Sequence, residues 1–182
     1  EDTSDHLLKL LEHKQLDLVV GRFTDYPQRQ RFDFTALAEE PFLLIARPEH
    51  PLCTQQHARA DQLNQWPWVL YPLNTPLRQS LEQSFGSAGV SPPANSIETT
   101  SVQTTLKLLR KSNTLALLPE TVVRQNLAEG SLKQVHTNLA PLPLAYGVLL
   151  RKEEAISSAT CEFIEALREV IHDDETKNNS RL

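Results

Sequence analysis

The stretch Glu98–Val123, ETTSVQTTLKLLRKSNTLALLPETVV, decides how this chain folds. Ser101 carries a hydroxyl suited to accept from the orphan N–H groups of a helix's first turn. Val102, Leu106 and Leu109 follow at helical spacing and make one apolar face. The run TLALLP is then continuously apolar and of strand length, the pattern of a strand covered on both faces. ETVVRQNLAEG begins a second helix, which Gly130 closes. Helix, strand and helix in such quick succession are the building unit of an α/β protein.

The same alternation extends in both directions. Toward the N-terminus, a helix is expected from Thr75 to about Gly86, with Leu77, Leu81 and Phe85 on its apolar face. Thr75 stands before Pro76, whose ring is preset for a first helical turn, and its hydroxyl is placed to cap. Strands are expected at NSIETT, at LNQWPWVLYP, and at PFLLIA, which Pro48 and Pro51 end; a shorter strand precedes PFLLIA. LDLVVGRF reads as a buried parallel strand ending at Gly21, and TSDHLLKLLEHKQ as a helix capped by Thr3 or Ser4. Toward the C-terminus come the strand LKQVH, the proline-punctuated LAPLPLAYGVLLRKE, and the helix SSATCEFIEALREVI. Phe163, Ile164, Leu167 and Ile171 form that helix's apolar face, Cys161 is expected in the core, and the polar tail HDDETKNNSRL is expected to fray. The fold class is α/β with mostly parallel sheets. RPEHPL and LAPLPLAYG look like two crossings between lobes, residues 1–54 with 144–182 forming lobe I and residues 55–143 lobe II. A hinged protein with a cleft between its lobes is the expectation.

Composition excludes several functions. No apolar run in the 182 residues approaches the roughly 20 that a membrane helix requires. A net charge of −5 argues against this segment gripping DNA by itself, which takes a basic face. Two distant cysteines, Cys53 and Cys161, with no secretory leader fit a reducing cytoplasm. The absence of methionine and an opening on a helix cap suggest a piece of a longer chain.

No catalytic apparatus stands out. HPLCTQQH brings His50, Cys53 and His57 close, but nothing at a suitable spacing completes a tetrahedral metal site. His6, His13, His136 and His172 are scattered and read as surface residues. There is no nucleophile elbow and no phosphate loop, and the paired carboxylates Glu39–Glu40, Glu153–Glu154 and Asp173–Asp174 lie in turns or at a terminus. No cofactor is expected. What remains is a set of hydroxyl-rich junctions: Thr3 and Ser4, then Asn74 and Thr75, then Thr99, Thr100 and Ser101. Gly21 and Arg22, at the end of a buried strand, join them. Ligands of open α/β sheets collect at such strand ends, where helix N-termini present free N–H groups. Each hydroxyl also serves as an ordinary helix cap. Arg22 and Arg78 are placed to meet a carboxylate or sugar hydroxyls, or to lie at the surface.

LLKLLEHKQLDLVVGR, LAEEPFLLIARPEHPL, ETTSVQTTLKLLRKSNTLALLPETVV and YGVLLRKEEAISSATCEFIEALREV together resemble the effector-binding domain of LysR-type transcriptional regulators. The glycine after the buried strand and ARPEHPL at the first crossing are the most specific pair. GRF, PLNTPLRQ and ETTSV resemble the branch containing regulators of sugar-uptake and aromatic-acid catabolism genes. The resemblance implies the two-lobed fold of type 2 periplasmic binding proteins and no enzymatic activity. It also implies a small effector (a sugar, an aromatic acid or a dicarboxylate) in the cleft, held by Thr3, Ser4, Gly21, Arg22, Asn74, Thr75, Arg78, Thr99, Thr100 and Ser101. Homodimers, and tetramers of the full-length protein, are implied, with the helices after DTS and ETTS as contact helices. DNA would be reached only through an N-terminal winged helix-turn-helix outside this chain, and the first strand and helix of lobe I would also lie outside it. An exported solute-binding protein of the same fold is the alternative. An enzyme on this scaffold would have only Asp2, Arg22 and Glu98 for acid–base work.

Overall fold

The computed structural model describes residues 2–23, 27–139, 144–152 and 154–179, with side chains described as far as residue 171. In chain order the elements are α1 (Ser4–Glu12), β1 (Val19–Gly21), α2 (Gln28–Arg31), β2 (Phe32–Glu40), β3 (Phe42–Ala46), α3 (Ala60–Leu63), β4 (Trp68–Leu70), α4 (Pro76–Ser87), β5 (Ser96–Glu98), α5 (Val102–Lys111), β6 (Leu115–Pro119), α6 (Glu120–Ala128), β7 (Lys133–Gln134), β8 (Leu144–Arg151) and α7 (Ser158–Asn179). They group into two compact units: Glu1–Glu39 with Ala145–Leu182, and Glu40–Leu144.

The second unit is a five-stranded sheet in the order β5-β4-β6-β3-β7. Its three inner strands, β4, β6 and β3, are continuously apolar because both faces are covered. Trp68, Leu70, Leu115, Leu117, Phe42 and Leu44 point to one face, where Leu77, Leu81 and Phe85 of α4 meet them. Val69, Ala116, Leu118 and Ile45 point to the other, against Leu106 and Leu109 of α5 and Val123 of α6. Successive strand residues alternate faces, so one uninterrupted apolar run feeds two cores. The Trp68 indole N–H donates to the Leu63 carbonyl at 3.0 Å, and its ring lies edge-on to Phe85 with centroids 5.8 Å apart.

The sheet is mixed, not mostly parallel as expected. β4 runs parallel to β5 and to β6, but β3 runs antiparallel to both β6 and β7. The parallel pairs follow from the crossovers through α4 and α5, since strands joined by a helix return in the same direction. β3 has no such crossover before it. It follows β2 across the single residue Pro41, and its apolar run fits either direction equally well.

This placement of β3 also moves the first crossing. The chain passes from the first unit to the second at Glu39–Glu40, earlier than the expected boundary at residue 54. β3 sits inside the five-stranded sheet, so the prolines of RPEHPL end that strand within the second unit and do not carry the chain out of a lobe. The return lies at Leu144–Ala145. LAPL, residues 139–142, falls mostly outside the described residues.

In the first unit the sheet order is β1-β8-β2. β1 is antiparallel to β8 and half-covered, with Val19 buried and Val20 exposed, so LDLVVGRF is not the buried parallel strand expected. β2, at nine residues, is longer than β3, the reverse of the expected lengths. Gly147 of β8 is required by close approach: a Cβ there would come within 2.2 Å of the Thr35 carbonyl oxygen and 2.7 Å of the Phe34 ring. Leu8 and Leu11 of α1 pack with Val19, Phe32 and Leu149. Arg151 donates to the carbonyls of Leu11 and Leu16, at 2.8 and 2.5 Å, and ties the C-terminal end of α1 to β8.

The last helix departs from its expected packing. Its backbone continues to Asn179 without fraying at Ile171, but of its expected apolar face Phe163 is exposed and Ile164, Leu167 and Ile171 are only half-buried, and Cys161 is exposed. Its apolar stripe therefore contributes little to the core of this unit. On α1 and α5, the helices expected to make dimer contacts, Leu8, Leu11, Leu106 and Leu109 are buried in the unit each helix belongs to.

Candidate functional site

The hydroxyl-rich junction of the second unit is built by the pairing of β4 with β5. Leu70 stands opposite Glu98, and the Thr99 N–H donates to the Leu70 carbonyl at 3.0 Å. The chain therefore leaves both strands side by side and enters two helices, α4 after Thr75 and α5 after Ser101. Ser101 caps α5 as expected, its Oγ accepting from the Thr104 N–H at 3.2 Å. Thr99 Oγ1 accepts from the Ser101 N–H at 3.1 Å and fixes the turn between strand and helix. Asn74 and Thr100 are exposed beside them.

Thr75 does not cap with its side chain. Its hydroxyl donates to the Pro72 carbonyl at 2.7 Å, and its backbone N–H donates to the same oxygen at 3.0 Å. The tight turn Pro72–Thr75 captures the hydroxyl, which leaves the first N–H groups of α4 without a side-chain partner.

Arg78 lies neither at the surface nor open toward a ligand. Its side chain is 8% exposed. Nε donates to Glu82 Oε1 at 2.8 Å, one helical turn away, and one terminal nitrogen donates to the Tyr71 carbonyl at 3.2 Å and to Glu98 Oε1 at 3.3 Å. The first turn of α4 overlies the ends of β4 and β5, so the guanidinium binds together the three elements that define the junction.

In the first unit, Ser4, Gly21 and Arg22 are brought together. Ser4 Oγ accepts from the Arg22 N–H at 3.4 Å, and a Cβ on Gly21 would stand 3.1 Å from that same oxygen. Thr3, the N-cap of α1, accepts from the His6 N–H at 3.5 Å. Asp2 accepts from the Thr3 N–H and contacts the His6 ring, and the hydrogen bond from His6 holds its carboxyl below the ordinary range. The Arg22 guanidinium lies 5.6 Å from the ring centroid of Tyr146. Sequence reasoning did not single out Tyr146. Its place depends on the register that sets Gly147 opposite Gly21, which no local pattern announces.

Of His50, Cys53 and His57, the first two are buried and the third is exposed. His50 is fully buried, its Nδ1 accepts from the Leu52 N–H at 3.2 Å, and its ring stands edge-on to Trp66 at 4.5 Å. Burial pushes its pKa below the ordinary 6.5 and pushes the buried Cys53 thiol up. Among the described residues no group of three or more His, Cys, Asp or Glu is arranged to hold a metal ion.

An α/β chain in two units, with helix N-termini and hydroxyl side chains at strand ends, has the type 2 periplasmic-binding-protein-like fold. Solved structures share that fold. The regulatory domain of CcmR from Synechocystis PCC6803, in complex with 2-PG, superposes with a TM-score of 0.79 at 16% identity, over 93% of this chain and 80% of that one. The effector-binding domain of QuiR, in complex with shikimate, superposes with a TM-score of 0.74 at 15% identity, over 89% and 75%.

The family follows from the sequence. Residues 1–171 match the LysR substrate binding domain, and the chain belongs to that family. Relatives include the HTH-type transcriptional regulator GbpR of Azospirillum brasilense, 26% identical over 92% of this chain and 49% of that protein. The HTH-type transcriptional regulator PcaQ of Agrobacterium fabrum is 29% identical over 90% of this chain and 52% of its own length. The chain thus spans about half the length of the relatives it matches. Membership of that family favours a regulator's effector-binding domain over an exported solute-binding protein. Among the described residues no helix is long and apolar enough to cross a membrane.

Proposed function

We propose that this chain senses a small polar metabolite for a cytoplasmic LysR-type regulator and performs no chemistry on it. The pairing of β4 with β5 carries the reading, because Asn74 and Thr75 follow one strand and Thr99, Thr100 and Ser101 follow its neighbour, where α4 and α5 begin. Free N–H groups and rotatable hydroxyls in that position suit oxygen atoms of a ligand. Thr3, Ser4, Gly21 and Arg22, with Tyr146, are the corresponding candidate set of the first unit. Homodimers and tetramers, and DNA contact through a helix-turn-helix elsewhere in the polypeptide, complete the proposal. An effector would act by preferring one of two arrangements of the regulator, and its differential affinity sets the size of the response.

A thermal-shift screen of sugars, sugar acids, aromatic acids and dicarboxylates tests this, run on the full-length polypeptide and on Thr100→Ala. One class should raise the melting temperature in the parent and lose at least half of that shift in the variant, since a ligand that binds only the native state must stabilise it. Ser4→Ala tests the candidate set of the first unit in the same way. A shift that survives both substitutions would place the ligand elsewhere.

A further inference from the structure

We propose that Glu98 is a specificity-determining residue: it keeps carboxylates away from the junction of the second unit, so that this junction takes an uncharged, polyhydroxylated part of the effector. The inference rests on the function proposed above and names the chemistry of that site.

Three charges decide it. Arg78, the cation of the first turn of α4, has its guanidinium buried and turned onto Glu82, the Tyr71 carbonyl and Glu98. Its charge is spent on two carboxylates, and one negative charge is left over. Glu98 is 48% exposed, and only one of its oxygens is held, at 3.3 Å by Arg78, so its charge faces the same solvent as neighbouring Thr99 and Thr100. The N-termini of α4 and α5 each contribute roughly half a positive charge, and the surplus carboxylate offsets both. The cations of α5 are Lys107, Arg110 and Lys111, and all lie a turn or more beyond its N-terminus.

The junction is therefore rich in hydrogen-bonding groups and poor in positive potential. Thr99, Thr100, Ser101 and Asn74 can donate or accept, which fits hydroxyl groups that do the same. A carboxylate bound among them would lie within a Debye length of Glu98 and meet its repulsion, while Arg78 beside it is already paired with Glu82 and Glu98. A hydroxyl in the same place meets none.

Matched ligand pairs that differ by one carboxylate test the proposal: glucose with glucuronate and galactose with galacturonate, with benzoate and succinate added. Binding to the full-length polypeptide is measured by thermal shift and calorimetry, in the parent, in Glu98→Gln and in Glu82→Gln. A neutral sugar should bind at least about tenfold tighter than its uronate in the parent. Removing either carboxylate charge should narrow that ratio at least about threefold through tighter uronate binding, with the sugar's own Kd moving less than about twofold. Having two variants guards against one that fails to fold. A uronate, benzoate or succinate that binds more tightly than the sugars in the parent, and loses affinity in Thr100→Ala, overturns this inference and leaves the sensor reading standing. An unchanged ratio in both Gln variants also overturns it. If no compound binds, both readings fall.

Discussion

Arg78 occupies a position that spacing alone assigns to solvent or to a ligand. A cation in the first turn of a helix opposes the helix dipole, which normally disfavours it. Here Glu82 and Glu98 reverse the balance, and the buried guanidinium fastens α4 to the ends of β4 and β5. Arg78→Ala should lower unfolding stability by about 2 kcal/mol, because it strands the Tyr71 carbonyl and two carboxylates, although partial exposure of those carboxylates moderates the cost. Arg78→Lys should recover less than half, since an ammonium cannot reproduce the guanidinium fork. Urea titration of both variants measures this. His50 makes a second prediction. Burial lowers its proton affinity in the folded state, so below about pH 6.5 the unfolded chain binds more protons. Stability is thus undiminished above that pH and falls as pH drops through it. His50→Asn keeps an acceptor for the Leu52 N–H, and it should flatten the unfolding free energy measured between pH 5 and 6.5.

At the scale of elements, β8 and α7 make contrasting predictions. Gly147→Ala puts a methyl group into the backbone of β2 and should cost at least about 3 kcal/mol, more than ordinary overpacking, because a carbonyl in a sheet cannot step aside as a side chain can. Gly86→Ala in α4 meets nothing within 4 Å and should stabilise by about 0.5–1 kcal/mol. Finding the two changes equal in a denaturation series would contradict the packing described. On α7, Phe163→Ser should change stability by less than about 0.5 kcal/mol, whereas Leu109→Ala in α5 should cost about 2–5 kcal/mol. Both helices carry apolar residues at helical spacing, but α5 buries Leu106 and Leu109 whereas Phe163 of α7 is exposed.

For the whole molecule, the two units differ in core size. The second unit packs both faces of a five-stranded sheet, while the described core of the first gathers around Leu8, Leu11, Val19, Phe32 and Leu149. Amides of β3 and β6 should therefore exchange more slowly than those of β1 and β8, which native-state hydrogen exchange reads directly. Protection in β1 equal to that in β6 would contradict that ordering. Much of this architecture was legible beforehand. Helical periodicity located α1, α4, α5, α6 and α7, and continuous apolar runs located β3, β4 and β6. Capping by Ser101 followed from residue type and position, and Thr3 caps α1 where Thr3 or Ser4 was expected, but the cap expected of Thr75 does not form. The grouping of Thr75 with Thr99–Ser101 was an inference from strand ends, and the β4–β5 pairing supplies its basis.

The amino-acid sequence by itself determined what depends on neighbours along the chain: periodicity, caps, proline stops, family membership and the α/β class. The tertiary structure alone decided what depends on partners far apart in sequence. Strand direction is one case, because a run apolar on every residue satisfies a sheet in either sense. The fate of Arg78 is another, since Glu98 lies twenty residues away and becomes its partner only when β5 pairs with β4. Burial of His50 against Trp66 and exposure of Cys161 belong to the same kind. Each turns on which surfaces meet in space, and separation along the chain carries no direct record of that.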